Sequence, residues 1–309
     1  MSVEWSQFAS VLLLQTGYNT VVVMLGAAAL GIAAGTVGVF AMLRRRALVA
    51  DALAHATLPG VAFGFLAAVA LGLPGRSPVF LLAGATITAI LAGIAIQAIR
   101  DRTRLPEDTA IASVLSTFFA LGIVLMTIIQ TLRTGGQAGL DAYLLGATAG
   151  MLREEAITLA VFSVLVALIV TALFKELVVV AFDPEFATTA GISVRAMDLA
   201  VLALTLAVVV IGLRIVGLIL IVALIVIPPA AARFWSNHAG VMAATSAAIG
   251  AISAYLGAAV SAVYPDMPTG AVIVLVAFTS LMISVFFGTA RGLLPRAIGA
   301  GVFTRRAAT

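Results

Sequence analysis

The sequence predicts an all-α protein that crosses a membrane about nine times, with eight crossings as the alternative. Three observations lead there. Hydrophobic residues make up 63% of the 309 and charged residues 10%, with a mean hydropathy of +1.22, whereas a soluble domain carries about 25% charged residues. Apolar runs long enough to cross as a helix, about 18 residues or more, recur along the whole chain. The charges sit in short segments between those runs, where positive charge sets membrane orientation. No stretch reads as a separate soluble domain, so residues 1–309 are expected to form a single transmembrane domain.

Taken in order, the spans are expected near 17–43, 47–71, 78–99, 109–130, 156–174, 197–213, 215–233, 239–263 and 270–288. The first contains "LGAAALGIAAGTVG" (25–38), the third "GATITAILAGIA" (84–95) and the eighth "AATSAAIGAISAYLGAA" (243–259). Such small-residue faces let helix backbones approach closely in lipid. Between the fourth and fifth spans, "GLDAYLLGATAGM" (139–151) is too short to cross and too apolar for a plain loop. It is expected to be a re-entrant or interfacial half-helix. The sixth and seventh spans flank Arg214, and 197–233 also reads as one long broken segment, which gives the count of eight. The first sixteen residues carry Glu4 but no basic cluster and no small-residue cleavage site, so the start is expected to be retained.

Orientation follows from the 17 basic residues. With the N-terminus outside, the cytoplasmic side takes Arg44, Arg45, Arg46, Arg100, Arg102, Arg104, Lys175, Arg195, Arg233, Arg291, Arg296, Arg305 and Arg306. The other side takes Arg76, Arg133, Arg153 and Arg214. That bias selects this orientation over its inverse. It also explains the net charge of +4 without nucleic acid as a partner. The absence of cysteine excludes disulfides, thiolate metal sites and cysteine nucleophiles.

One segment stands out chemically. In "RRRALVADALAHATLPGVAFGF" (44–65), Asp51 and His55 lie four residues apart in an apolar run, which puts both side chains on one helix face. An Asp at the centre of a membrane helix costs roughly 2.5–3.5 kcal/mol and normally faces a cavity or the bundle interior. Pro59 has no N–H to donate to the His55 carbonyl, so that oxygen becomes a third acceptor. Carboxylate, imidazole and carbonyl together suit a divalent cation of intermediate hardness, Mn, Fe or Zn, better than Ca or Mg. The plainer alternative is that Asp51 pairs with His55 or with an arginine at the membrane face. Arg46 is only five residues away, about 7–8 Å along a helix axis. Two side chains are also too few for a tight site, so further ligands must come from elsewhere in the chain, a second subunit or water. His238, the other histidine, follows "RFWSN" at a cytoplasmic membrane edge and reads as a solvated interfacial residue.

A second segment, "KELVVVAFDPEFATTAGISVR" (175–195), lies on the cytoplasmic side. Asp183 can cap a helix, Pro184 fits its first position, Glu185 suits the positive N-terminal end and Gly191 ends it. The expected product is a helix of under two turns between two spans, or else an ordinary loop. No G-x-x-x-x-G-K-[ST] motif and no Walker B strand are present, so any ATPase must be a different chain. Membrane Asp and His also serve proton relays, which keeps a proton-coupled secondary transporter open. An intramembrane metalloprotease would want H-E-x-x-H or a similar set, which two histidines cannot supply.

The 44–65 block resembles the signature of permease subunits of bacterial ABC importers for zinc, manganese and iron. So do "LPEDTAIASVLSTFFALGIVL" (105–125), "QAGLDAYLLG" (137–146), "FDPEFATTAGI" (182–192), "IVGLILIVALIVIPPAAAR" (215–233) and "YPDMPTGAVIVL" (264–275). The likeness runs in order along nearly the whole chain, and "QAGLDAYLLG" looks more like the manganese/zinc/iron branch than the single-permease zinc branch. The resemblance implies a type II importer-like permease in the bacterial cytoplasmic (inner) membrane. A second permease, identical or homologous, would complete the pore. Two cytoplasmic ABC ATPases would bind below, and an extracytoplasmic binding protein would deliver the metal. It implies that Asp51 and His55 contact the passing metal, with Pro59 and Gly60 breaking the helix beside them. It also implies that Asp183, Pro184, Glu185, Phe186, Ala187 and Gly191 belong to the coupling helix that docks on the ATPase. Mn, Zn or Fe(II) would be substrate, with no permanently bound cofactor.

Overall fold

The computed structural model describes residues 5–75, 77–131, 148–264 and 267–295. Twelve α-helices are found among them: α1 Trp5–Leu12, α2 Tyr18–Leu43, α3 Ala47–Ala70, α4 Pro78–Arg102, α5 Glu107–Thr131, α6 Arg153–Ala172, α7 Phe174–Phe182, α8 Pro184–Thr189, α9 Val194–Val216, α10 Leu218–Ala232, α11 Ala239–Val263 and α12 Thr269–Phe287. Eight of these are long and apolar enough to cross a membrane: α2 to α6, α9, α11 and α12. The expected half-helix at 139–151 and the loops holding Arg76 and Arg133 lie largely outside the described residues.

Local chemistry places the ends. Pro78 opens α4, while Arg100 and Arg102 lie in its last turn, where cations complement the negative end of the helix dipole. Glu107 and Asp108 open α5. Glu155 accepts from the Leu152 N–H at 3.0 Å and so caps α6. Between α2 and α3 the chain turns within Arg44–Arg46, with Arg45 at φ +59.

The segment around Arg214 is resolved by its turn. Gly217 has φ +84 and separates α9 from α10. A methyl group on Gly212 would overlap the Ile221 side chain. Residues nine apart on a straight helix are separated by about 13.5 Å along the axis, so the chain folds back at Gly217. The return leg, α10, has 15 residues and reaches about 22 Å, short of the roughly 30 Å hydrocarbon core. Nine legs and eight full-length spans are thus both present. Length alone separates the two counts.

The chain clusters into two compact units. One takes Met1–Arg45, Thr148–Met197 and Ala223–Thr309, and the other Arg46–Ala147 and Asp198–Val222. In the first, α2 and α11 meet backbone to backbone. Gly31 and Gly250 face each other so closely that a Cβ on either would strike the other's carbonyl, and the Ser246 hydroxyl donates to the Gly35 carbonyl at 2.7 Å. Both are the small-residue contacts expected in lipid. In the second, α3 packs on α4 and α5 around Val49, Leu53, Ala92, Ile96, Ile111 and Val114. Leu202 and Leu206 of α9 lie against the same cluster.

Candidate functional site

The helix α3 owes its position to small residues. Gly60 meets Gly84 of α4, where a Cβ would overlap the Gly84 carbonyl and the Thr88 hydroxyl. Pro59 faces α5 at Gly122, whose added Cβ would come within 3.1 Å of the Pro59 ring. These contacts correct one expectation. Pro59 and Gly60 do not break the helix, because α3 runs unbroken from Ala47 to Ala70 with Pro59 inside it. A proline removes one helical hydrogen bond, and the close fit on α4 and α5 holds the neighbouring turns in place. Pro59 still cannot donate to the His55 carbonyl.

The expected pair is adjacent in space. His55 Nε2 lies 3.4 Å from Asp51 Oδ1, with side-chain exposures of 24% and 34%. Both therefore sit at an accessible face of a helix whose remaining surface is largely buried. The His55 ring stands edge-on to Phe119 of α5, 5.0 Å between centroids at 80°. Its Nδ1 is buried and without a hydrogen-bond partner. An unsatisfied buried nitrogen costs roughly 1–3 kcal/mol, a cost that a bound cation or water can offset. Arg46 is engaged elsewhere: its guanidinium meets Glu107 and Asp198 at 2.7 and 2.8 Å. Of the two partners that sequence reasoning left open for Asp51, His55 is therefore the one in contact. Among the described residues no three His, Cys, Asp or Glu side chains gather around a common point, so the shortage of ligands persists among them.

The 182–192 segment folds as expected. Asp183 caps α8, its Oδ1 accepting from the Phe186 N–H at 2.9 Å, and Pro184 takes the first position. Gly191 at φ +80 ends it, with Gly191 N–H donating to Thr188 O at 3.1 Å and Ile192 N–H to Ala187 O at 2.8 Å. These two bonds form a Schellman motif. Of the residues expected to belong to the coupling helix, Ala187 is fully buried within its own chain, whereas Phe186 is 58% exposed. The outward face of α8 is formed by Glu185, Phe186, Thr188 and Thr189. His238 is the N-cap residue of α11, its side chain makes no capping hydrogen bond, and it is exposed, as its sequence context suggested.

Sequence reasoning missed the two interhelical partners, Phe119 beside His55 and Asp198 beside Arg46. Asp198 did carry a signal. It is a carboxylate in the apolar run "AMDLAVLALTL" (196–206), and a charge there implies a counter-charge nearby.

Comparison with known proteins gives a consistent result. Residues 17–288 match the model of the ABC 3 transport family. The chain is 37% identical over 280 residues to the manganese transport system membrane protein MntC of Bacillus subtilis, covering 91% of this chain and 63% of that protein. The zinc transport system membrane protein TroC of Treponema pallidum is 36% identical over 273 residues, 88% of this chain and 90% of TroC. Among solved structures, PsaBC from Streptococcus pneumoniae in complex with Fab superposes with a TM-score of 0.76 at 29% identity, covering 93% of this chain and 97% of the matched one.

Proposed function

The chain belongs to the ABC 3 transport family and is a multi-pass membrane permease; from that premise we propose that it is the membrane subunit of an ATP-driven importer of Mn, Zn or Fe(II). The chain acts as one permease domain in a bacterial cytoplasmic membrane. It receives the ion from an extracytoplasmic binding protein and draws on an ABC ATPase dimer carried by other chains. The observation that carries this reading is the Asp51–His55 pair. A carboxylate and an imidazole at one face of an apolar helix, with Nδ1 lacking a partner, offer the mixed O/N donors that suit these metals. The relatives named for manganese and zinc transport point to the same cargo.

Two side-chain ligands can hold an ion only briefly, which suits a pathway. A second permease, identical or homologous, brings a second pair by two-fold symmetry and raises the count to four. The capped helix α8 is the coupling helix, and its exposed Phe186 is the residue that enters the ATPase groove. The test is ATP-dependence. The permease, co-expressed with its ATPase and supplied with Mn-loaded binding protein on the opposite face, should accumulate Mn in proteoliposomes only when ATP is supplied on the ATPase side. Uptake driven by a proton gradient alone, without nucleotide, would assign it to secondary transport instead.

A further inference from the structure

A buried ion cluster closes one end of the second unit. Arg46 Nη2 donates to Asp198 Oδ2 at 2.8 Å, and Arg46 Nε lies 2.7 Å from Glu107 Oε1. Arg100 Nη1 stands 3.6 Å from the same Asp198 oxygen and 3.8 Å from the same Glu107 oxygen. Arg46 and Asp198 are 7% and 4% exposed. Four helices are tied here: at the N-cap of α3, the last turn of α4, the first turn of α5 and the second turn of α9. The distribution of positive charge puts this end in the cytoplasm.

The cluster is an unusual way to hold helices together. Replacing a buried ion pair by apolar residues of similar volume is often neutral or stabilising, so adhesion alone does not call for it. Arg100 and Glu107 each complement the dipole of their own helix, but Arg46 sits at the positive N-terminus of α3, where a cation is disfavoured. The carboxylates of α5 and α9 are what keep it there. The contact with Glu107 is close in distance yet Nε makes no hydrogen bond to it. The aligned bond of Arg46 is the one to Asp198.

The two ends of that bond lie on consequential elements. Asp198 is seven residues beyond Gly191, where α8 ends, in the helix that α8 feeds into. Arg46 is five residues before Asp51 on α3, about 7.5 Å along the axis. We propose that Arg46 and Asp198, steadied by Glu107 and Arg100, are positioning residues that couple movement of α8 to the Asp51–His55 pair. A shift of α8 enters α9, pulls on Asp198 and is delivered to the start of α3. Directional hydrogen-bonded charges transmit such a shift in both senses, whereas an apolar contact slides. This inference rests on the reading of α8 and of the pair given above.

The experiment uses the full permease–ATPase complex in proteoliposomes with its binding protein and with Mn as probe, and reads Mn taken up per ATP hydrolysed together with assembly of the complex. Asp198→Asn should assemble and hydrolyse ATP, while Mn per ATP falls by about tenfold or more. Arg46→Lys, which keeps the charge, should stay within about 1.5-fold of wild type. A ratio unchanged in Asp198→Asn overturns the proposal. So does a loss of uptake that merely follows a loss of assembled complex in both variants. If Asp198→Asn alone fails to fold, Glu107→Gln decides, because Glu107 is 30% exposed at its side chain. A ratio lowered by about threefold there supports the coupling role, and a wild-type ratio removes it. Failure of the underlying reading looks different: the wild-type complex itself would then take up no Mn.

Discussion

His55 is held by two contacts of different kinds, a polar one to Asp51 and an edge-on aromatic one to Phe119. The ring is thereby oriented while one nitrogen stays without a partner. His55→Leu should abolish Mn binding to the purified complex, as equilibrium binding measures, because it removes the nitrogen donor. Phe119→Ala should lower uptake less, by about three- to tenfold, because it releases the ring without removing a ligand; uptake in that variant measures it. The pair itself was legible in the sequence, because a four-residue spacing fixes a shared helix face whatever the tertiary fold. Phe119 and Asp198 were not legible as partners. They approach α3 from helices 64 and 152 positions along the chain from His55 and Arg46 respectively, and no local rule encodes that meeting.

At the scale of elements, α8 shows what local rules can and cannot deliver. Cap, first-position proline and terminal glycine specified its bounds, since each satisfies or relieves a backbone group at a helix end. Which face points outward depends on packing against the rest of the chain, which buries Ala187 and leaves Phe186 exposed. The two neighbouring residues now make a matched test. Ala187→Asp buries an unpaired carboxylate, at a cost of several kcal/mol, and should lower the yield of folded permease. Phe186→Asp leaves the fold intact and should remove ATPase association. Thermal unfolding and co-purification of the ATPase separate the two effects, and the reverse assignment would mean α8 docks through another face. Pro59 and Gly60 teach the same lesson. Their residue types suggested a break, but the close approach of Gly84 and Gly122 keeps α3 continuous.

The whole molecule was legible as a membrane protein from hydropathy and the placement of charge, because the bilayer forces every backbone polar group into a helix. The fold-back at Gly217 was the ambiguous part, since an arginine between two apolar runs fits a turn and a kink equally well. Orientation is directly testable. Cysteines introduced as Thr103→Cys and Arg153→Cys, both at exposed positions, should react with an impermeant reagent in intact cells only at the latter. Equal labelling would reject the topology. The central claim is that metal crosses by way of the Asp51–His55 pair, and the most direct test is ATP-driven uptake of radioactive Mn by proteoliposomes holding the complete transporter. The wild type should accumulate Mn, with Zn and Fe(II) competing and Mg and Ca not. The Asp51→Asn/His55→Leu double variant should assemble normally and accumulate none, whereas full uptake by that variant would contradict the account.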